Sequence, residues 1–271
     1  MRLALFQCAP GQPGDAAGNM ARLDKAAQAA AAQGAGLLVL PEMYCTGYDI
    51  GAERVAELAE EADGPGAGAV ADIARRHGLA ILYGYPERNP PGRPFNSVQL
   101  IARDGRSLAN YRKTHLYGEL DRAQFSASDT PGAVFEFDGW QVGLLICFDM
   151  EFPETVRCLA LAGAELVLVP TANMLPYTFV AETLAPCRAY ENQVFLAYAN
   201  YLGREGGLDY CGQSCVAAPD GEVLVRGQGS RLAGDLAPGD QLLLADVDRG
   251  RLGEARAQFS YLSLRRPSLY C

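Results

Sequence analysis

Two stretches of this chain read as copies of one unit. Gln33-Gly34-Ala35-Gly36-Leu37-Leu38-Val39-Leu40-Pro41-Glu42 and Ala162-Gly163-Ala164-Glu165-Leu166-Val167-Leu168-Val169-Pro170-Thr171 each run through a helix end, a tight turn, an apolar strand and a proline. Strands that are apolar on both faces must be covered on both faces, as in α/β proteins. Two equivalent units therefore predict an α/β fold of two similar sheets packed together, with helices outside. Strand and helix signals alternate along nearly the whole chain. Strands are expected at 2–8, 36–40, 79–83, 165–169, 194–200 and 241–247, and hairpins at 96–112, 133–147 and around Pro219-Asp220-Gly221. Helices are expected from Asp15 to Gly34, from Gly64 to Gly78, from Pro153 to Gly163 and over 178–191. No linker interrupts this order, so residues 1–271 read as one domain, with about 250–271 as a tail available to pack on a partner subunit.

Charge narrows the function classes. A net charge of -9 leaves no basic face for nucleic acid or for an anionic membrane surface. No apolar run reaches the roughly 20 residues that span a bilayer, and the N-terminus enters a strand at once, so a cytoplasmic protein is expected. The cysteines are scattered and read as free thiols. Cys8, Cys158 and Cys187 are expected in the core. Cys211 and Cys215 are not read as a metal pair, because neither histidine of the chain, His77 or His115, lies near them.

Chemistry-bearing residues stand at three strand ends. The run Gly143-Leu144-Leu145-Ile146-Cys147-Phe148-Asp149 delivers a thiol, Leu40-Pro41-Glu42 a carboxylate, and Tyr111-Arg112-Lys113 an ammonium. Strand ends are rigid and face a crevice, which suits a nucleophile, a base and an oxyanion binder. Singly, each has an ordinary structural explanation: a cap, a side chain that reaches to water, a small core residue. His115 has no nucleophile elbow or aspartate partner in the sequence to make a serine-type triad.

Together, Leu40-Pro41-Glu42, Tyr111-Arg112-Lys113-Thr114-His115-Leu116 and Ile146-Cys147-Phe148-Asp149 with Phe152-Pro153-Glu154 resemble the three catalytic motifs of the nitrilase (carbon–nitrogen hydrolase) superfamily, in the family's order. The resemblance implies a four-layer α-β-β-α sandwich, a homodimer or larger homo-oligomer, and no cofactor or metal. It implies Glu42 as general base, Lys113 as oxyanion stabiliser and Cys147 as nucleophile. A second, substrate-orienting glutamate falls on Glu119, with Asp121 as the fallback. Phe148, Tyr48, Tyr117, Asn173, Met174 and Glu151 are candidate substrate contacts, and Tyr44 stands in the same loop as Tyr48. Arg188 is expected in an internal ion pair.

The residues after the cysteine resemble the amidase branch. The expected reaction is hydrolysis of a small primary amide, an aliphatic or amino-acid amide, to carboxylate and ammonia through a thioester. Met150-Glu151 puts an acid where some amidases of keto-acid amides carry arginine, which points to neutral or amine-bearing substrates. A nitrilase or an N-carbamoyl hydrolase on the same three residues is the alternative within the fold. A catalytically silent binding or scaffold member is the alternative of another class, and three intact motifs count against it.

Overall fold

The computed structural model describes residues 1–230 and 239–270. In chain order the first half runs β1 (Arg2–Gln7), α1 (Ala16–Ala32), β2 (Leu37–Val39), α2 (Ala52–Leu58), α3 (Pro65–His77), β3 (Ala80–Glu87), β4 (Phe95–Ile101), β5 (Ser107–Arg112) and α4 (Gly118–Gln124). The second half runs β6 (Val134–Phe137), β7 (Trp140–Leu144), a 3₁₀ turn (Cys147–Glu151), α5 (Pro153–Leu161), β8 (Leu166–Pro170), a π turn (Val180–Leu184), α6 (Ala185–Asn192) and β9 (Phe195–Ala199). It closes with β10 (Leu202–Glu205), β11 (Leu208–Cys211), β12 (Cys215–Ala217), β13 (Val223–Arg226), β14 (Gln241–Asp246) and α7 (Arg249–Gln258).

The repeat is real at the level of topology. One sheet has the order β14-β1-β2-β3-β4-β5, and the other, read from its far edge, β6-β7-β8-β9-β12-β13. In each, three parallel strands joined by helical crossovers form the centre, and antiparallel strands flank them on both sides. Side-chain alternation then assigns the faces of β1. Leu3 and Leu5 join Val142, Leu144, Leu166 and Leu168 of the second sheet in one core. Ala4 and Phe6 join Leu23, Ala27, Val70 and Ala74 of α1 and α3 in another. Val156, Leu159, Ala185 and Ala189 of α5 and α6 cover the second sheet's outer face. The four layers are helices, sheet, sheet, helices.

Local signals explain the ends of these elements. The Asp15 side chain caps α1 by accepting from Gly18 N–H, 2.9 Å. Gly78 ends α3 in the left-handed conformation. The helix expected over 178–191 forms as the π turn followed by α6, since Pro186 has no N–H to continue a regular ladder across the join.

Three expectations change. Cys158 and Cys187 are exposed, not in the core, because both fall on the outer faces of α5 and α6. The C-terminal segment does not leave the fold at 250: α7 runs to Gln258 and buries Leu252, so the irregular tail begins at Phe259. Cys271, the end of the expected tail, lies outside the described residues. The hairpin β10–β11 and the helices α2 and α4 lie where no element was expected. The seven cysteines described are all free thiols. Among the described residues no helix is long and apolar enough to cross a membrane.

At Gly84 of β3 two backbones meet without room for a side chain. A Cβ built there would stand 2.3 Å from the Met43 nitrogen and 3.1 Å from the Glu42 carbonyl carbon. The loop after β2 lies directly on β3 at this point, and the Cys45 N–H donates to the Gly84 carbonyl, 3.1 Å. Gly84→Ala forces backbone apart and is expected to cost about 1–3 kcal/mol, the range for overpacking. Urea denaturation checks this; an unchanged midpoint would mean the contact is slack.

Candidate active site

The loop after β2 delivers Glu42, and its equivalent after β8 delivers Thr171. The two copies meet: the Glu42 N–H donates to the Thr171 carbonyl, 3.2 Å. Both residues are fully buried.

Lys113 leaves β5 with its N–H held by the Asn96 carbonyl, 2.8 Å. Its side chain is fully buried and its ammonium lies between two carboxylates, 2.7 Å from Glu42 Oε1 and 2.8 Å from Asp121 Oδ2. The Tyr48 ring lies beneath it, 5.7 Å from the nitrogen to the ring centroid. Asp121 is the better anchored acid. It also accepts from the Tyr48 hydroxyl on Oδ1 and from the Tyr117 N–H on Oδ2, each at 2.8 Å. Glu42 accepts on one oxygen only, from Lys113 and from Asn96 Nδ2 at 2.6 Å. Its other oxygen, Oε2, is buried and accepts no hydrogen bond.

Cys147 opens the 3₁₀ turn that follows β7 and takes a left-handed backbone conformation, φ 46°. For a non-glycine residue such a conformation costs roughly 1–2 kcal/mol and persists only where neighbours impose it. Asp149 is the neighbour that does so. Fully buried, it accepts from Ile146 N–H at 3.2 Å, Tyr111 OH at 3.0 Å, Thr114 N–H at 3.2 Å, Thr114 Oγ1 at 2.8 Å and His115 N–H at 2.8 Å. His115 Nδ1 is a further partner at 2.9 Å, and this pairing raises the imidazole pKa. One carboxylate thus ties the cysteine turn to the segment that carries Lys113. Arg188 holds the turn from its other side, donating to the carbonyls of Met150 at 3.2 Å and Glu151 at 2.7 Å, and pairs with Glu191 at 3.0 Å as expected.

Charge is distributed to suit proton transfer. Burial, and next the Glu42 charge, push the Cys147 thiol well up; Lys113 and the adjacent Thr171 hydroxyl work the other way. Burial also raises the Glu42 carboxyl, against the pull of Lys113, with Asp121 adding to the rise. Burial opposes charge on Lys113, yet Asp121 and Glu42 outweigh it and hold the ammonium protonated. A protonated thiol, a carboxyl shifted toward accepting a proton and a fixed cation therefore occupy one buried cluster.

The structure brings Glu42, Lys113 and Cys147 together and leaves Glu119 out. Glu119 points into solvent, its side chain 92 % exposed, and pairs with Arg122 at 2.9 Å. Asp121, two residues on, points inward from the same helix. The second acid of the site is Asp121, and Glu119 is corrected on that ground. Tyr48 is buried with its hydroxyl committed to Asp121, so it buttresses Lys113 and presents no hydroxyl to a ligand. Tyr44 turns away altogether and donates to the Asn19 carbonyl, 3.2 Å. Asn173 is also committed: its Nδ2 donates to the Tyr177 carbonyl at 3.0 Å, and its N–H to Asn200 Oδ1 at 2.8 Å. Met174 is buried at a bridge to Tyr210. Tyr117 and Phe148 are half-buried and meet edge to face at 5.5 Å, with Tyr177 continuing the row at 6.0 Å from Tyr117. Glu151 is half-buried at the end of the turn. Asn96 was not foreseen; a polar residue inside a strand that is otherwise closely buried was its only signal.

Removing the cation should expose how much the cluster depends on it. Lys113→Met leaves Glu42 and Asp121 buried without a counter-charge, an expected loss of about 3–5 kcal/mol in a denaturation experiment. Glu42 in that variant has a folded pKa further above its unfolded value, so its stabilising contribution is present at low pH and lost as pH rises. The deficit relative to the parent should shrink on acidification; a deficit independent of pH would contradict the assignment.

Known proteins resemble this chain in sequence and fold. The family model for carbon-nitrogen hydrolases matches residues 2–257. A Pseudomonas protegens protein called hydrolase in pqqF 5'region is 55% identical over 271 residues, covering 100% of this chain and 90% of the relative. An (R)-stereoselective amidase of a Pseudomonas species is 37% identical, covering 98% of this chain and 92% of the relative. A solved mutant of the amidase from Nesterenkonia sp. AN1, which shows covalent addition of the acetamide moiety of fluoroacetamide at the active-site cysteine, superimposes with a TM-score of 0.83. It is 35% identical and covers 100% of this chain and 95% of that one. The chain belongs to the carbon-nitrogen hydrolase family and is an amidase-type enzyme of the nitrilase superfamily.

Proposed function

We propose that the enzyme hydrolyses a small primary amide to carboxylate and ammonia through a thioester on Cys147. The observation that carries this reading is the buried cluster itself: a lysine ammonium bonded to Glu42 and Asp121, beside a strained cysteine, with one oxygen of Glu42 unoccupied.

The steps follow from the donors and acceptors available. As the Cys147 sulfur forms a bond to the amide carbon, its proton passes to Glu42, through the oxygen that has no other partner. An ammonium has three N–H donors, and Lys113 spends two on carboxylates. The third, with the backbone N–H of Phe148, is available to the oxygen that becomes negative. Collapse of the tetrahedral intermediate breaks the carbon–nitrogen bond, and Glu42 returns the proton to the departing nitrogen, giving ammonia. Water then attacks the thioester with Glu42 taking its proton. The sulfur leaves, recovers a proton, and the carboxylate departs. Asp121 keeps Lys113 charged and placed throughout; it hands over no proton. Tyr117 and Phe148 line the approach for the substrate's apolar part. The covalent adduct formed by the Nesterenkonia amidase with fluoroacetamide supports a cysteine nucleophile and an amide-sized pocket here.

We also propose that the enzyme works as a homodimer or larger homo-oligomer. Phe259 and Leu264 of the C-terminal tail are 60% and 72% exposed, and Leu161, Phe179 and Tyr190 are exposed as well. The tail is fixed to the body by Gln193, which donates to the Phe259 carbonyl and accepts from the Tyr261 N–H, 3.1 Å. Fixed apolar side chains left in water suit a protein partner. Sedimentation velocity at micromolar concentration should show a dimer or larger species, and a monomer would remove this proposal.

Cys147→Ala should keep the fold and lose ammonia release by about four orders of magnitude or more. Mass analysis of the parent enzyme treated with fluoroacetamide should place the label on the peptide containing Cys147. An alanine variant with near-parental turnover would end the mechanism.

A further inference from the structure

The half-buried carboxyl of Glu151 accepts no hydrogen bond from any described residue. Several buried carboxylates of the chain differ in this. Asp121 has three donors, Asp149 has more, Glu87 has Ser97, Asn110 and Arg112, and Glu205 has two backbone N–H groups and the Tyr210 hydroxyl. The Glu151 carboxyl is only half-buried, so water satisfies it in the free enzyme and a ligand group that displaces that water can bond to it. Its backbone, by contrast, is fixed. Arg188 grips the carbonyls of Met150 and Glu151, and its own charge is already matched by Glu191 at 3.0 Å. The Glu151 side chain is therefore held on a fixed turn without a cation of its own.

Its position relative to the catalytic cluster is also defined. Glu151 closes the same 3₁₀ turn that Cys147 opens. Its charge acts on Lys113 and on the hydroxyls of Tyr117 and Tyr198. Burial raises its pKa, with Lys113 and then Arg188 opposing. Lys113 acts on Glu151 only through space, since its hydrogen bonds go to Glu42 and Asp121. Lys113 thus faces the charges of Glu42, Asp121 and Glu151, with its hydrogen bonds given to the first two. A substrate that brings a positive charge would supply what is missing, and an anionic one would be repelled. The ring faces of Tyr117 and Phe148 suit a cation as well.

We propose that Glu151 is the receptor for a protonated amine on the substrate, so that the preferred substrates are primary amides carrying an ammonium group close to the amide carbonyl, as in amino-acid amides. This rests on the amide-hydrolase reading above and narrows it to one charge class. The carboxylate would hold the ammonium by a charge-assisted hydrogen bond while the amide carbon faces Cys147. No bond is made or broken at Glu151; it is a specificity residue.

Alaninamide and isobutyramide have nearly the same shape and differ by an ammonium in place of a methyl group. The measured quantity is the ratio of their kcat/KM values, using each enantiomer of alaninamide. The parent enzyme should favour one enantiomer of alaninamide at least tenfold over isobutyramide, and Glu151→Gln should reduce that ratio by tenfold or more. Without any variant, the parent ratio should fall as pH rises through about 8, where an α-amino group loses its proton. If the Gln variant leaves the ratio unchanged, or the parent shows no preference, the ammonium site is overturned while amide hydrolysis stands. If neither these nor other small amides release ammonia, the amide-hydrolase reading fails and this inference falls with it.

Discussion

A lysine ammonium with no exposure to solvent is the costliest group in this protein, and much of the site is arranged around it. Removing a cation from water costs several kcal/mol even after relaxation, so the charge must be matched at close range. A single carboxylate would balance it. Two are present, and they are not equivalent. Asp121 has three donors distributed over both oxygens, whereas Glu42 has two on one oxygen and none on the other. The second negative charge in a buried site is the one that burial disfavours, and hydrogen bonding decides which acid carries it. Asp121 is the more fully bonded counter-ion. Glu42, whose pKa burial raises, keeps an open oxygen, which is what a base beside a thiol requires.

The two-sheet architecture makes this arrangement possible. Parallel centres with helical crossovers put the carboxyl ends of β2 and β8 side by side, and the bond from Glu42 N–H to the Thr171 carbonyl joins the two repeats there. One copy of the loop carries Glu42, the proposed base, and the other carries Thr171, which acts on the Cys147 thiol. Lys113 and Cys147 come from different sheets, and Asp149 connects them by bonding both to Ile146 at the cysteine turn and to Thr114 and His115 just after the lysine. The backbone strain at Cys147 is therefore borne by a hydrogen-bond network that spans the sheet interface, not by local sequence preference.

This division explains what could be read from the residues. Strands apolar on both faces, glycine-ended helices and the hairpin turns follow from local chemistry, and they were legible with small boundary shifts. The three strand-end residues were legible because each ends an apolar run in an ionisable group. Asp121 against Glu119 was not. The two lie on α4 about 200° apart around the helix axis, so one must point away, and the count of residues from Lys113 does not say which. The choice is made by the entry to the helix, where the Tyr117 N–H donates to the Asp121 carboxylate. Tyr48 and Asn173 carried groups suited to a substrate, but tertiary partners had taken them. The hairpin β10–β11 escaped because Gly203, Gly206 and Gly207 break its alternation. It is nonetheless held in place, through Glu205 accepting from the N–H groups of Tyr48 and Asp49.

On the proposed reading, selectivity and chemistry are separated within a single turn. Its first residue is the proposed nucleophile, Cys147, which is buried. Its last is Glu151, whose carboxyl is open while its backbone is clamped by Arg188. A change at the last position alters the charge offered to a substrate without disturbing the bonds that fix the first, since those run through Asp149. On that reading the charge accepted can change while the way of cleaving the bond is retained, because Glu151 and the Cys147 cluster draw on different hydrogen bonds.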